Sequence, residues 1–149
     1  MAETDLIALL NAHRGGFDQY IGLTYTRATA DEITAEVPIG PNLLQPYGLV
    51  HGGVYCSIAE TLASAGAAVD AMPRGFTTVG LENTTAFVHG LRAGTIVATA
   101  TPVHRGRRTQ IWEVVLCDQA GKLAAKGRVR ILCLEPGAAI SGQTVGVKS

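Results

Sequence analysis

An α+β domain, an antiparallel sheet wrapped around one buried helix, is what three features of this sequence predict. The first is the stretch from about Gly53 to Asp70, where Val54, Ile58, Leu62, Ala65 and Val69 recur at helical spacing and nearly everything between them is Ala, Ser or Gly. A helix without charge around its circumference must be buried, and one this thin lets a sheet approach closely. The second is the clean alternation near the end of the chain. Leu123, Ala125, Gly127, Val129, Ile131 and Cys133 fall on one face and Lys122, Lys126, Arg128 and Arg130 on the other, the mark of a half-buried strand. The third is the order of the elements: two strands, the buried helix, then four strands joined as hairpins.

Each element has its own signal. Thr4 or Asp5 caps a short first helix with Leu6, Leu9 and Leu10 as its apolar stripe, and Gly15-Gly16 ends it. Residues 21 to 29 and 32 to 37 form a hairpin around Ala30-Asp31, with Ile33, Ala35 and Val37 inward. Pro38, Gly40, Pro41, Asn42 and Pro46 make a loop that delivers the chain to His51. After the helix, Pro73-Arg74-Gly75 breaks the pattern, and strands follow at about 77 to 88, 95 to 104 and 109 to 118. Residues 1–134 therefore read as one domain. Residues 135–149, rich in Gly, Ser and Thr and without period, read as a loose tail.

Composition narrows the function classes. The 149 residues are 47% hydrophobic and 16% charged, enough apolar side chain for a substantial core. A formal net charge of +0 gives no general attraction to nucleic acid or to an anionic membrane, so any anion site must be local. Cys56, Cys117 and Cys133 lack C-x-x-C spacing and read as reduced packing thiols of a cytoplasmic protein. The first residues carry Glu3 and Asp5 in place of a basic, then apolar, secretory signal, and the apolar helix is interrupted by Glu60, which argues against a membrane span. There is no G-x-S-x-G, H-E-x-x-H or Walker motif, and His13, His51, His89 and His104 lack ligand spacing, so no metal is expected.

The chemistry concentrates at the buried helix. Glu60 stands mid-helix without an Arg or Lys three or four positions away to offset the cost of desolvating a carboxylate. Ahead of the helix lie His51, Gly52 and Gly53, where backbone N–H groups lack internal acceptors and the dipole is positive. Such a terminus suits a developing oxyanion, and two glycines keep its amides accessible. The alternatives are a carboxylate paired with a distant Arg128 or Arg130, and glycines that serve close packing of helix on sheet.

Gln45, the Gly48-Leu49-Val50-His51-Gly52-Gly53 run, Glu60 and Ser64 resemble the glutamate-dependent, phenylacetate-pathway-like branch of hotdog-fold acyl-CoA thioesterases, which includes 4-hydroxybenzoyl-CoA thioesterase and 1,4-dihydroxy-2-naphthoyl-CoA thioesterase. The likeness extends through Val79-Gly80-Leu81-Glu82-Asn83 and His104-Arg105-Gly106-Arg107-Arg108 and covers roughly residues 16 to 134. It implies the hotdog fold, with the sheets of two subunits joined in a homodimer that often pairs into a homotetramer. It also implies active sites between subunits, an acyl-CoA substrate, and no separate cofactor because coenzyme A is part of the substrate.

Within that expectation Glu60 attacks the thioester or deprotonates a water, and the amides of Gly52 and Gly53 hold the oxyanion. His51 positions the loop, Gln45 orients water or substrate, and Ser64 holds a water or the Glu60 carboxylate unless it back-bonds to its own helix. Tyr47 and Phe87 line the acyl pocket, with core packing an equal alternative for Phe87, and Val79 and Gly80 join them against the substrate. The cluster at Gly106, Arg107 and Arg108 faces the CoA phosphates, which guanidinium forks suit, or else is a solvated bend. Phe87 matches the benzoyl-CoA type and Gly80-Leu81-Glu82 the naphthoyl-CoA type, so an aryl or medium acyl group is expected. A noncatalytic acyl-CoA-binding protein of the same fold would have no need of Glu60.

Overall fold

The computed structural model describes residues 1–146. Two short helices, α1 (Glu3–Ala12) and α2 (Gly16–Tyr20), precede the hairpin β1 (Thr24–Ala28) and β2 (Ile33–Pro38). A single 3-10 turn at Pro41–Leu43 leads to the long helix α3 (Gly52–Ala71). Then follow β3 (Thr77–Phe87), β4 (Thr95–Arg105), β5 (Thr109–Cys117) and β6 (Leu123–Leu134). These six strands form one antiparallel sheet in the order β1-β2-β4-β5-β6-β3, and α3 packs along its concave face. This is the hotdog layout: a sheet curled around one central helix.

The core explains why small residues dominate α3. Ile58, Leu62, Ala59, Ala63 and Ala67 are buried against the inward residues Trp112, Val114, Leu116, Val129 and Ile131. Trp112 lies so close to the helix that a Cβ at Gly66 would come within 2.6 Å of its ring. At Gly127, opposite Ala59, the same replacement would meet the alanine methyl at 2.9 Å. The alternation along β6 is as expected, with Gly127, Val129, Ile131 and Cys133 buried and Lys126, Arg128 and Arg130 exposed.

Four features differ from or add to the sequence reading. β3 and β4 do not form the expected hairpin, because β3 crosses to pair with β6 while β4 pairs with β2 and β5. α1 starts at Glu3 on Ala2 with no side-chain cap, so Thr4 and Asp5 lie inside its first turn. Gly15-Gly16 ends one helix but also opens another, because Gly16 starts the five-residue α2, too short to show a period. Residues 135–146 contain a small hairpin, β7 (Ala139–Ile140) with β8 (Gln143–Thr144), its four strand residues all exposed. Residues 147–149 of the expected tail lie outside the described residues.

The edges of the sheet are unequal. α1 lies beside β1, and Asn11 bridges them by donating to the Tyr25 carbonyl and accepting from the Tyr25 N–H, both at 2.9 Å. The other edge, β3, is eleven residues long and pairs only with β6. It presents Leu81, Phe87 and the following Val88 to solvent, at 49%, 57% and 60% exposure.

Candidate active site

Glu60 projects from the middle of α3 toward β3. Its Oε2 accepts a hydrogen bond from Asn83 Nδ2 at 3.2 Å, and the second hydrogen of that amide goes to the Cys56 carbonyl at 2.9 Å. Thr85 donates to Asn83 Oδ1 at 2.7 Å, which fixes the orientation of the amide. No ion pair reaches Glu60 among the described residues: Arg130 is engaged by Glu82 at 3.2 Å, and Arg128 makes no salt bridge.

β3 is shaped around this carboxylate. A Cβ at position 80 would overlap Glu60 Oε1, so the glycine there makes room for the acid. The ladder between β3 and β6 slips between Gly80 and Glu82, leaving Leu81 as a bulge, a device that bends a strand and re-aims its side chains.

The open side of Glu60 faces a cavity of about 460 Å³ between α3, α1 and the α2 segment. Leu9, Leu10, Ala65, Ala68 and Met72 give it an apolar wall, and Ser64, Thr61, Asp18, Tyr25, His13 and Arg14 are its other polar lining groups. Thr61 donates to Asp18 Oδ1 at 2.9 Å, tying α2 to α3 one residue past Glu60. Burial, reinforced by the Asp18 carboxylate and partly offset by Arg14, pushes the Tyr25 phenol far above its ordinary range, so it remains a proton donor. The Ser64 hydroxyl has no protein acceptor among the described residues; the side chain that back-bonds to α3 is Ser57, which donates to the Gly53 carbonyl at 2.7 Å.

The start of α3 forms a second group. His51 is the N-cap, and its Nδ1 accepts from the Gly53 N–H at 2.9 Å. A neutral ring that accepts at Nδ1 has its proton on Nε2. This cap uses the Gly53 amide, whereas the Gly52 N–H has no partner among the described residues. Phe87 lies against Gly52. A Cβ at Gly52 would come within 2.6 Å of its ring, and it stacks at a tilt on Tyr55 with centroids 6.0 Å apart.

Gln45 turns its side-chain carbonyl back to the Tyr47 N–H, and Tyr47 is 82% exposed. The chain thus brings Glu60, Ser64 and Gly80 together at one place and His51, Gly52, Gly53 and Phe87 at another. Glu60 stands eight residues beyond Gly52. At about 1.5 Å of rise per residue that is ~12 Å along the axis, too far for both to act on one carbonyl.

Gly106, Arg107 and Arg108 form the tip of the β4–β5 hairpin. Gly106 is required there, because a Cβ would press on the Thr109 carbonyl at 2.8 Å. Arg107 pairs with Glu135 at 3.0 Å, and Arg108 makes no salt bridge among the described residues, its guanidinium exposed. Arg105 is turned inward over Trp112, 5.8 Å from the ring centroid, and pairs with Asp31. The Arg108 carbonyl accepts from Cys133 N, and Cys133 pairs in register with Thr78, so this tip lies two strands, roughly 10 Å, from the start of β3. Val79 is half-buried on that part of β3.

Sequence reasoning placed Asn83 within the Val79-to-Asn83 match without giving it a role, and did not single out Thr61, Asp18 or Tyr25. Asn83 had a signal of its own, a strand-disfavoured amide in a run of Thr and Val. Asp18 had none, since its partner Thr61 is 43 residues away.

With that geometry in hand, residues 47–125 match the family model described as Thioesterase superfamily. Rv1847 of Mycobacterium tuberculosis, provisionally named an esterase, is 41% identical over 121 residues, spanning 80% of this chain and 86% of that protein. Its solved structure superposes with a TM-score of 0.80 at 40% identity, covering 85% of this chain and 100% of the other. The proofreading thioesterase EntH of Cronobacter sakazakii is 31% identical, over 77% of this chain and 83% of its own length. The structure of thioesterase HI1161 from Haemophilus influenzae matches with a TM-score of 0.80 at 27% identity, covering 91% and 92% of the two chains. No helix among the described residues is long and apolar enough to cross a membrane.

Proposed function

The chain belongs to the Thioesterase superfamily, a family of thioester hydrolases, and on that premise we propose that it hydrolyses an aryl- or medium-chain acyl-CoA to the free acid and CoA. The observation that carries this reading is Glu60: a carboxylate held by one amide donor, given room by Gly80, and open to a cavity of ligand size. Glu60 either attacks the thioester carbonyl, expelling the CoA thiolate and leaving an anhydride that water cleaves, or takes a proton from a water that attacks directly. The branch suggested by the Gln45-to-Ser64 motif remains part of this proposal.

The oxyanion needs donors that Glu60's own helix start cannot bring to it across ~12 Å. A second copy supplies them: two chains joined through their exposed β3 edges place the Gly52 N–H and His51 of one beside Glu60 of the other. The length and apolar exposure of β3 support this homodimer, since an uncovered edge of that kind is a template for pairing. One such backbone donor is worth about 3 kcal/mol in the transition state. Arg108, and Arg107 once released from Glu135, are the anion-binding groups for the CoA phosphates, in a protein placed in the cytoplasm.

The test is thiol release from a panel of aryl- and fatty-acyl-CoAs. Turnover that falls ~10²-fold or more in Glu60→Ala is the expected result; an equally active Glu60→Ala removes the proposal. In the same assay Arg108→Ala is expected to raise KM for full CoA thioesters and spare pantetheine thioesters.

A further inference from the structure

The cavity at Glu60 does not end where an aryl group would. A second cavity of about 570 Å³ adjoins it beneath α1, and the two share Leu9, Leu10, Ala68 and Met72. The second runs on past Leu6 and Val69 to Pro73 and the β1–β2 turn. Its cause is a mismatch of side-chain size. The apolar stripe of α1 packs on the core only in part, through Leu6, Ile7 and Leu10, and it faces a side of α3 built from Ala65 and Ala68; no residue of α1 is fully buried.

α1 is nevertheless fixed in place, by Asn11 on the β1 edge at one end and by Glu3 with Arg27 at 3.7 Å at the other. The result is a half-open, mainly apolar groove with the acid at its head, parallel to α3. From Glu60 to Met72 is twelve residues. That corresponds to ~18 Å of helix at about 1.5 Å per residue. A zigzag carbon chain advances roughly 1.3 Å per carbon for bonds of about 1.5 Å, so the groove accepts about fourteen carbons, and about nine reach Ala68.

We infer that the acyl group is a linear aliphatic chain of about ten to fourteen carbons, lying beneath α1, with Ala68 setting how far it extends. This rests on the proposed role of Glu60 only in fixing which end of the groove holds the thioester.

Binding of non-hydrolysable S-butyl-, S-octyl- and S-dodecyl-CoA thioethers separates chain recognition from catalysis. Burial of each methylene is worth up to about fourfold in affinity; dodecyl is expected to bind at least 100-fold more tightly than butyl. Ala68→Phe, or Leu10→Phe from the opposite wall should the first not fold, is expected to cut the dodecyl-to-butyl ratio at least tenfold. Equal binding of the three thioethers, or equal losses for short and long chains in both variants, would overturn the inference. Such an outcome would leave the Glu60→Ala test of hydrolysis untouched, and an inactive panel with strong length-dependent binding would remove the enzyme and keep the groove.

Discussion

α3 carries two carboxylates, ten residues apart, and they live in opposite circumstances. Asp70 is saturated. Its Oδ2 accepts from Gln110 Nε2 at 2.8 Å and from Arg74 at 2.9 Å, and the fully buried Gln110 in turn accepts the Trp112 indole N–H at 2.8 Å. That chain of donors satisfies a buried indole and a buried amide and ends at a half-exposed guanidinium, which makes it a fastening between helix and sheet. Glu60 receives one hydrogen bond from a neighbour that divides its donors, and its other oxygen looks into space cleared by a glycine. The contrast sets a carboxylate that fastens helix to sheet apart from the one proposed for chemistry.

Exchanging the charges one at a time gives the largest effect and the plainest way to break this contrast. Glu60→Gln is expected to lower kcat by ~10²–10⁴-fold with little change in the unfolding midpoint, because the amide still accepts from Asn83. Asp70→Ala is expected to do the reverse: kcat near wild type and a loss of about 1–3 kcal/mol, since Gln110 is left with an unmatched donor. Urea unfolding with steady-state thiol release on both variants reads this directly. A kcat loss in Asp70→Ala comparable to that in Glu60→Gln would erase the distinction.

Gly52→Pro sharpens it from the side of the proposed second copy. Proline fits the first helical position and the extended His51 before it, and it removes only the free N–H, while the distal atoms of Phe87 can give way. The expected loss is ~10²–10³-fold in kcat with KM held, and an unchanged kcat would take the Gly52 amide out of the mechanism. The smallest effect belongs to the fastening again. Arg74→Ala, which removes an exposed partner of Asp70, is expected to cost about 0.3–0.5 kcal/mol by urea unfolding, well short of Asp70→Ala.

How much was legible in the sequence follows from the range of the interactions. The β6 alternation and the α3 period are local patterns imposed by one buried face each, and both appear where the residues predict them. The isolated acid at Glu60 was legible because its oddity is also local, a charge among Ala and Ser. Its surroundings were not: Asn83 lies 23 residues away on a strand that faces the helix only after the sheet has curled. The groove was least legible, because the Leu6, Leu9 and Leu10 stripe looks like ordinary packing until the smallness of Ala65 and Ala68 across the gap is known. Likewise the engagement of the Gly53 amide by His51 is a matter of rotamer, which the His-Gly-Gly string does not specify.

The place of β3 in the sheet order has a consequence for biogenesis. Gly80 and Asn83 are emplaced by pairing with β6, and Thr77 meets Leu134 only after 57 further residues have been made. Closing so long a loop is slow compared with forming the β4–β5 and β5–β6 hairpins. A ribosome-bound chain short of residue 125 therefore holds α3 and its acid before the strand that seats them has a neighbour, and the seat is completed only as the final strand is made.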